Sequence, residues 1–377
     1  MEVKTIQCLL WRTNVQISAY VPAEGVAEYM AMLIPESNDE DFVVQLEHLR
    51  LTEEYLLSEK WQGKALPLFK RYFISDAANQ EVILRNVPEE YPEIVSVVQQ
   101  PPLNGSKVCL WMWLRTEAQL PVCCHNGYNH YFTAGLSATE GDSEYQTHEL
   151  LTCYENMLNK WGGLRLSDQC IRTWFFVRDV DVNYAGVVKG RKEEFTRLGL
   201  TERTHYIAST GIQGQTADFR SLVLLDAYAV DGLQKGQIQF LYASEYLNPT
   251  YEYGVTFERG TSVEYGDRKH IFISGTASID NKGDIVCPGD IIGQTRRMLL
   301  NIEALLKEAD SSLADIAQMI VYLRDIADYQ MVNAMLNEQF PDVPKIVVLA
   351  PVCRPGWLIE TECIAIRAGG NSKFRNL

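Results

Sequence analysis

Two carboxylates two residues apart, Glu360 and Glu362, interrupt an otherwise apolar run, LIETECIAI (358–366). Alternate side chains of a strand share a face, so both point the same way. Burial among aliphatic neighbours favours the protonated carboxyl, and a carboxylic acid that is neutral near pH 7 is a proton donor. The alternative is an edge strand whose polar face is wet. Seven residues before Glu360 stands Cys353, followed by Arg354, Pro355 and Gly356. Pro-Gly marks a tight turn, and KIVVLAP before it is β-branched and apolar, so 345–366 is expected as two strands joined by that turn. Nothing in the sequence near Cys353 lowers a thiol pKa, so its expected role is a pocket wall rather than a nucleophile.

The elements that position these groups belong to a chain of 377 residues, long enough for two or three domains. A formal charge of −15 argues against binding to nucleic acid or an anionic membrane. A small anionic metabolite remains compatible if a few Arg and Lys line one cleft. No run approaches the roughly 18 apolar residues of a spanning helix, and the N-terminal stretch lacks an export pattern. Nine cysteines, an odd number scattered through apparent strands and helices, fit reduced thiols and a cytoplasmic location. Cys123, Cys124, His125 and His130 lack the spacing of a structural zinc site; no metal and no cofactor is expected.

An internal repeat organises the second two-thirds of the chain. Gln294-Thr295 opens a helix with apolar residues at Met298, Leu299, Ile302, Leu305, Leu306 and Ala309. A shift of 148 places Leu150, Leu151, Tyr154, Met157, Leu158 and Trp161 on the same stripe after Gln146-Thr147. Each helix leads to a strand ending in Arg-Asp, RTWFFVRDV (172–180) or QMIVYLRDI (318–326), and then to a second helix ending at Phe195 or Phe340. A shift of 136 lays SLVLLDAYAV (221–230) on WLIETECIAI (357–366), so Glu360 falls on Leu224, Cys353 on Ala217 and Arg354 on Asp218. One copy therefore keeps the pattern without the polar groups, which places the chemistry in the other. With leading strands at 107–115 and 269–275, both copies read as mixed β-sheets with two helices packed on one face, an α+β architecture. The expected units are 97–235 and 245–370, preceded by an N-terminal α/β extension at 1–96. Within the extension, 9–21 and 81–87 are expected as strands and 36–54 as a loop entering a helix.

HIFISGTASI (270–279), VYLRDIADYQMVNAMLNEQF (321–340) and LIETECIAI resemble the RidA (YjgF) family. The longer set QQPPLNGSKV (99–108), RTWFFVRDVDVNYAGVVKGRKEEF (172–195), IASTGIQG (207–214) and CRPGWLIE (353–360) is similar to the chorismatase branch of that superfamily. The resemblance implies tandem chorismate-mutase-like domains with pockets between neighbouring sheets. It implies either a homotrimer or a monomer whose halves pair internally. It also implies cleavage of chorismate, an enolpyruvyl ether, to pyruvate and a dihydroxycyclohexadiene or hydroxybenzoate.

In that chemistry Glu360 protonates the vinyl carbon. Two substrate carboxylates call for guanidinium forks, with Arg354, Arg191 and Arg203 as candidates. Tyr206, Thr210 and Gly211 would meet a ring hydroxyl, and Cys353 and Ala277 would shape the wall. Where the RidA family carries a carboxylate-binding arginine, this chain has Lys345 or Ile346. Where the chorismatases have Trp-Asn-Tyr, it has Trp174-Phe175-Phe176. Hydrolysis of reactive enamines or imines, and ligand binding without turnover, are the alternatives.

Overall fold

The computed structural model describes residues 2–8, 11–36, 39–89, 91–118, 120 and 122–377. The first third contains β1 (Glu2–Cys8), β2 (Thr13–Tyr20), β3 (Glu28–Pro35), α1 (Phe42–Tyr55), β4 (Ala65–Ile74), α2 (Ala77–Arg85), β5 (Val95–Gln99) and β6 (Val108–Thr116). They form one sheet in the order β1-β2-β3-β6-β4-β5, antiparallel except for the β4–β5 pair. Asp41 starts α1 by accepting a hydrogen bond from the Val44 amide at 3.0 Å, the N-cap arrangement the acidic stretch supplies. The expected boundary at 96 therefore falls inside β5, and the first unit, a complete sheet with two α-helices, extends through β6 to Thr116.

Two expectations for this region are corrected. Residues 81–87 are not a strand; most of them form the end of α2. Ala77, Gln80, Glu81 and Leu84 turn inward at helical spacing, while the apolar Val82 and Ile83 face solvent and hid the period. The strand expected at 107–115 to lead the middle unit is β6, between β3 and β4 of the first sheet. Its residues from Val108 to Arg115 are all buried, and a run buried on both faces carries no alternation to assign it. Of the strand expected at 9–21, β2 covers Thr13–Tyr20, and Leu9 and Leu10 lie outside the described residues.

The middle third comprises β7 (Cys123–His125), β8 (Tyr128–Ser137), α3 (Ser143–Lys160), the single-turn α4 (Leu166–Gln169), β9 (Cys170–Val177), α5 (Val180–Arg197), β10 (Ala208–Gln213) and β11 (Val223–Asp231). The last third comprises β12 (Ile238–Leu241), β13 (Gly260–Glu264), β14 (Arg268–Ala277), α6 (Ile291–Glu308), β15 (Ile316–Leu323), α7 (Tyr329–Gln339), β16 (Lys345–Leu349) and β17 (Ile359–Ala368). Their sheets run β7-β8-β11-β9-β10 and β12-β13-β14-β17-β15-β16. The last sheet repeats the first strand for strand, and the middle one lacks only the outermost position. β16 and β17 do not pair with each other: β15 lies between them, parallel to β16 and antiparallel to β17. The segment through Cys353 and Arg354 therefore crosses the end of β15 rather than turning a hairpin.

The three sheets meet around a common centre. Isolated β-bridges join Gln99 to Gln215, Pro102 to Val348 and Ile212 to Val352, at least one for each pair of units, and Ala208 is bridged to Glu258 as well. Deeper in, Arg71 of β4 pairs with Asp226 of β11 at 2.8 Å, and Arg172 of β9 pairs with Glu362 of β17 at 2.8 Å. Arg71 also lies 3.9 Å from Glu362 and packs over the rings of Trp111, Trp174 and Phe176. Charges so deeply buried persist only when paired and hydrogen-bonded, so this cluster fixes the three units in register.

Candidate active site

The ladder registers assign each unit one equivalent position. Glu360 pairs across from Tyr322, Leu224 from Phe176 and Cys109 from Phe73. Those partners stand three residues before Asp325, Asp179 and Asp76, the aspartates that head the following helical segments. One step further along, the equivalent residues are Glu362, Asp226 and Trp111.

Glu360 and Glu362 share a face and have different surroundings. Glu362 accepts from Arg172 at 2.8 Å and from the Trp174 indole nitrogen at 2.7 Å, so it is held as a structural carboxylate. Glu360, 4% exposed, takes part in no hydrogen bond or ion pair among the described residues. Burial, followed by the Glu362 charge, raises its carboxyl to about 8, against the pull of Arg172 and Arg259. The group is thus mostly protonated near pH 7 and unengaged by the protein, as a proton donor must be.

Room for that carboxyl comes from Gly275 on β14. A Cβ at this position would lie 1.9 Å from Glu360 Oε1. Glycine inside a strand marks a close approach, here by a side chain from β17. The Gly275 amide is anchored by donating to Thr210 Oγ1 at 3.0 Å, and the same oxygen accepts from Arg172 at 2.5 Å.

Glu360 lies in a cavity of about 460 Å³, measured out to its mouth, between the middle and last units. Ala277, Cys353, Arg354 and Trp357 line it from the last unit, and Tyr184, Arg191, Ser209 and Gly211 from the middle one. Val255, Phe257 and Arg259, in the segment leading to β13, complete the wall. Gly211 lets Tyr184 approach, since a Cβ there would lie 2.8 Å from the ring. Arg191, 1% exposed, donates to Thr256 Oγ1 at 3.2 Å and to Ser209 Oγ at 3.4 Å, and its Nη2 has no hydrogen-bond partner. An unpartnered buried guanidinium nitrogen on a cavity wall is suited to an anionic ligand. Burial and the Glu360 charge push the Cys353 thiol up to about 12, leaving it neutral.

Of the sequence candidates, Glu360, Arg354, Cys353, Arg191, Gly211 and Ala277 are brought together here. Thr210 lies behind the wall, holding Gly275 and Arg172. Tyr206 belongs to an adjoining cleft that shares Phe257 and Arg259; its amide donates to Glu258 and its ring stacks on Phe195. Arg203 is exposed in the loop after α5. Lys345 is elsewhere, because β16 turns toward the first unit and lines a different cavity. Cys123 and His130 are engaged by Arg115. The residues missed, Tyr184, Ser209, Phe257, Arg259 and Gly275, come mostly from the partner unit or the connecting segment. Only Gly275, a glycine within a β-branched run, carried a local signal.

The architecture defines an α+β protein in which sheets of one topology enclose a buried acid between units. A family model described as Endoribonuclease L-PSP matches residues 262–367. A RutC family protein of Pyrococcus abyssi is 37% identical over 99 residues, covering 26% of this chain and 78% of that protein. The 3-aminoacrylate deaminase RutC of Acinetobacter baylyi is 34% identical over 97 residues, covering 25% of this chain and 77% of that protein. The chain belongs to the RidA (YjgF) superfamily. A crystal structure of chorismatase shares its fold over 79% of this chain and 92% of that chain, with a TM-score of 0.63 at 18% identity. No helix among the described residues is long and apolar enough to cross a membrane.

Proposed function

We propose that the chain is an enzyme that cleaves the enol ether of a small dianionic metabolite of the chorismate type. The observation that carries this reading is Glu360, a neutral carboxylic acid with no protein partner, in a cavity that also holds the unpaired Arg191 nitrogen. Proton transfer from Glu360 to the terminal vinyl carbon leaves an oxocarbenium centre at the ether carbon. Water adds there, the hemiketal collapses, and the products are the ring alcohol and pyruvate. The proton released by the water restores the acid. Arg191 and its neighbours Arg259 and Arg354 supply the cationic side for two carboxylates, and Phe257 and Trp357 add aromatic wall. The shared chorismatase fold is compatible with this chemistry.

Incubating the full chain with chorismate and following pyruvate by a coupled NADH assay tests the proposal. Pyruvate release is expected to fall at least about 100-fold in Glu360→Gln, the scale of a lost general acid. Release equal in the variant and the wild type, or absent from both, rejects it. Enamine hydrolysis is the second reading, favoured by the match to a 3-aminoacrylate deaminase over the unit that carries Glu360. It begins with the same carbon protonation, and ammonia release from 3-aminoacrylate without pyruvate from chorismate would select it.

A further inference from the structure

The three units create three related interfaces with different contents. Glu360 of the last unit faces β10 of the middle unit. Leu224, its counterpart in the middle unit, is buried in the apolar core that all three units share, where it offers no polar group. Cys109, the counterpart in the first unit, faces β16 of the last unit across a cavity of about 800 Å³ measured out to its mouth. Registers confirm the correspondence: Lys345 pairs with Met319 and Ser209 with Thr173, and these face Cys363 and Ala227, which coincide under the shift of 136. Tyr329 of α7 likewise lines this cavity as Tyr184 of α5 lines the first.

This second cavity is lined by a thiol, a lysine and several amides, with Glu36 the one carboxylate among its lining residues. Cys109 is fully buried, bonds to Ser106 Oγ at 3.2 Å, and has its thiol pushed up to about 12 by burial, so it offers no acid at neutral pH. Lys345 is 5% exposed, and its ammonium donates to the Phe340 carbonyl at 2.8 Å. An ammonium has three protons, and among the described residues Lys345 forms no ion pair. Asn14 Oδ1 is buried with no hydrogen-bond partner, and Asn333 adds a further amide to the lining. Ile34, Ile346 and Val347 supply apolar wall.

We infer that the cavity between the first and last units is a second, non-catalytic binding site for a metabolite-sized carboxylic acid. Its carboxylate meets Lys345, and its polar substituents meet the amides of Asn14 and Asn333. The inference stands whether or not Glu360 cleaves an enol ether, because the two sites share no lining residue.

Pyruvate is the probe, titrated into the full chain by calorimetry in wild type, Arg191→Gln, Lys345→Gln and Asn14→Asp. A saturable site that survives Arg191→Gln and weakens at least tenfold in Lys345→Gln is expected. Asn14→Asp, nearly isosteric, sets a negative charge beside the carboxylate and is expected to weaken binding even if Lys345→Gln folds poorly. Pyruvate soaked into crystals should place its carboxylate at Lys345. Undiminished affinity in both Lys345→Gln and Asn14→Asp, binding abolished by Arg191→Gln alone, or a soaked cavity holding only water overturns the inference.

Discussion

Glu360 and Glu362 show how two identical side chains on one strand face acquire opposite roles. Arg172 and Trp174 engage Glu362, whereas Gly275 leaves Glu360 space but no partner. The consequence is measurable as stability. Folding raises the Glu360 carboxyl from 4.5 to about 8, so the folded state binds the proton more tightly. The stabilisation from the neutral form is complete below pH 4.5 and is lost as pH rises toward about 8. Glu360→Gln should therefore gain stability over wild type across that window, reaching about 3–5 kcal/mol near pH 8. Urea denaturation at pH 5 and pH 8 measures it, and a difference independent of pH would show the carboxyl to be ordinary. Activity should fall over the same upper range, as the donor ionises.

At the scale of elements, strands β14 and β17 set the acid's position through one missing Cβ. Gly275→Ala should force the Glu360 carboxyl from its place and cut the proposed pyruvate release about 100-fold, the usual effect of a displacement near 1 Å at a catalytic group. Near-unchanged thermal unfolding alongside that loss would locate the effect in the site. Such dependence explains what the sequence revealed. Helices α3 and α6 were legible because their apolar stripes follow a 3.6-residue period, and Glu360 because a carboxylate in an apolar strand is anomalous. The neighbours of Glu360 across the unit interface were not legible, since no local pattern states which sheet faces which. Strands buried on both faces, β6 above all, lose the alternation that would assign them. α2 was misread because Val82 and Ile83 point outward, leaving polar Gln80 and Glu81 inside.

For the whole molecule, three sheets of shared strand order close on one another within a single chain. Each pair of units is bridged, and the charges of Arg71, Asp226, Arg172 and Glu362 are spent on one another at the centre. On the strength of these internal contacts we expect a monomer, and sedimentation at micromolar concentration should give a species near 43 kDa. A species three times that mass would contradict the internal closure. The covalent order has a further effect on how such a molecule can change. In a ring of identical subunits every substitution recurs three times, so a residue that improves one cleft alters all of them. Joined end to end, the clefts are free to differ: one carries glutamate, one leucine, and one a thiol in a cavity that a lysine also lines.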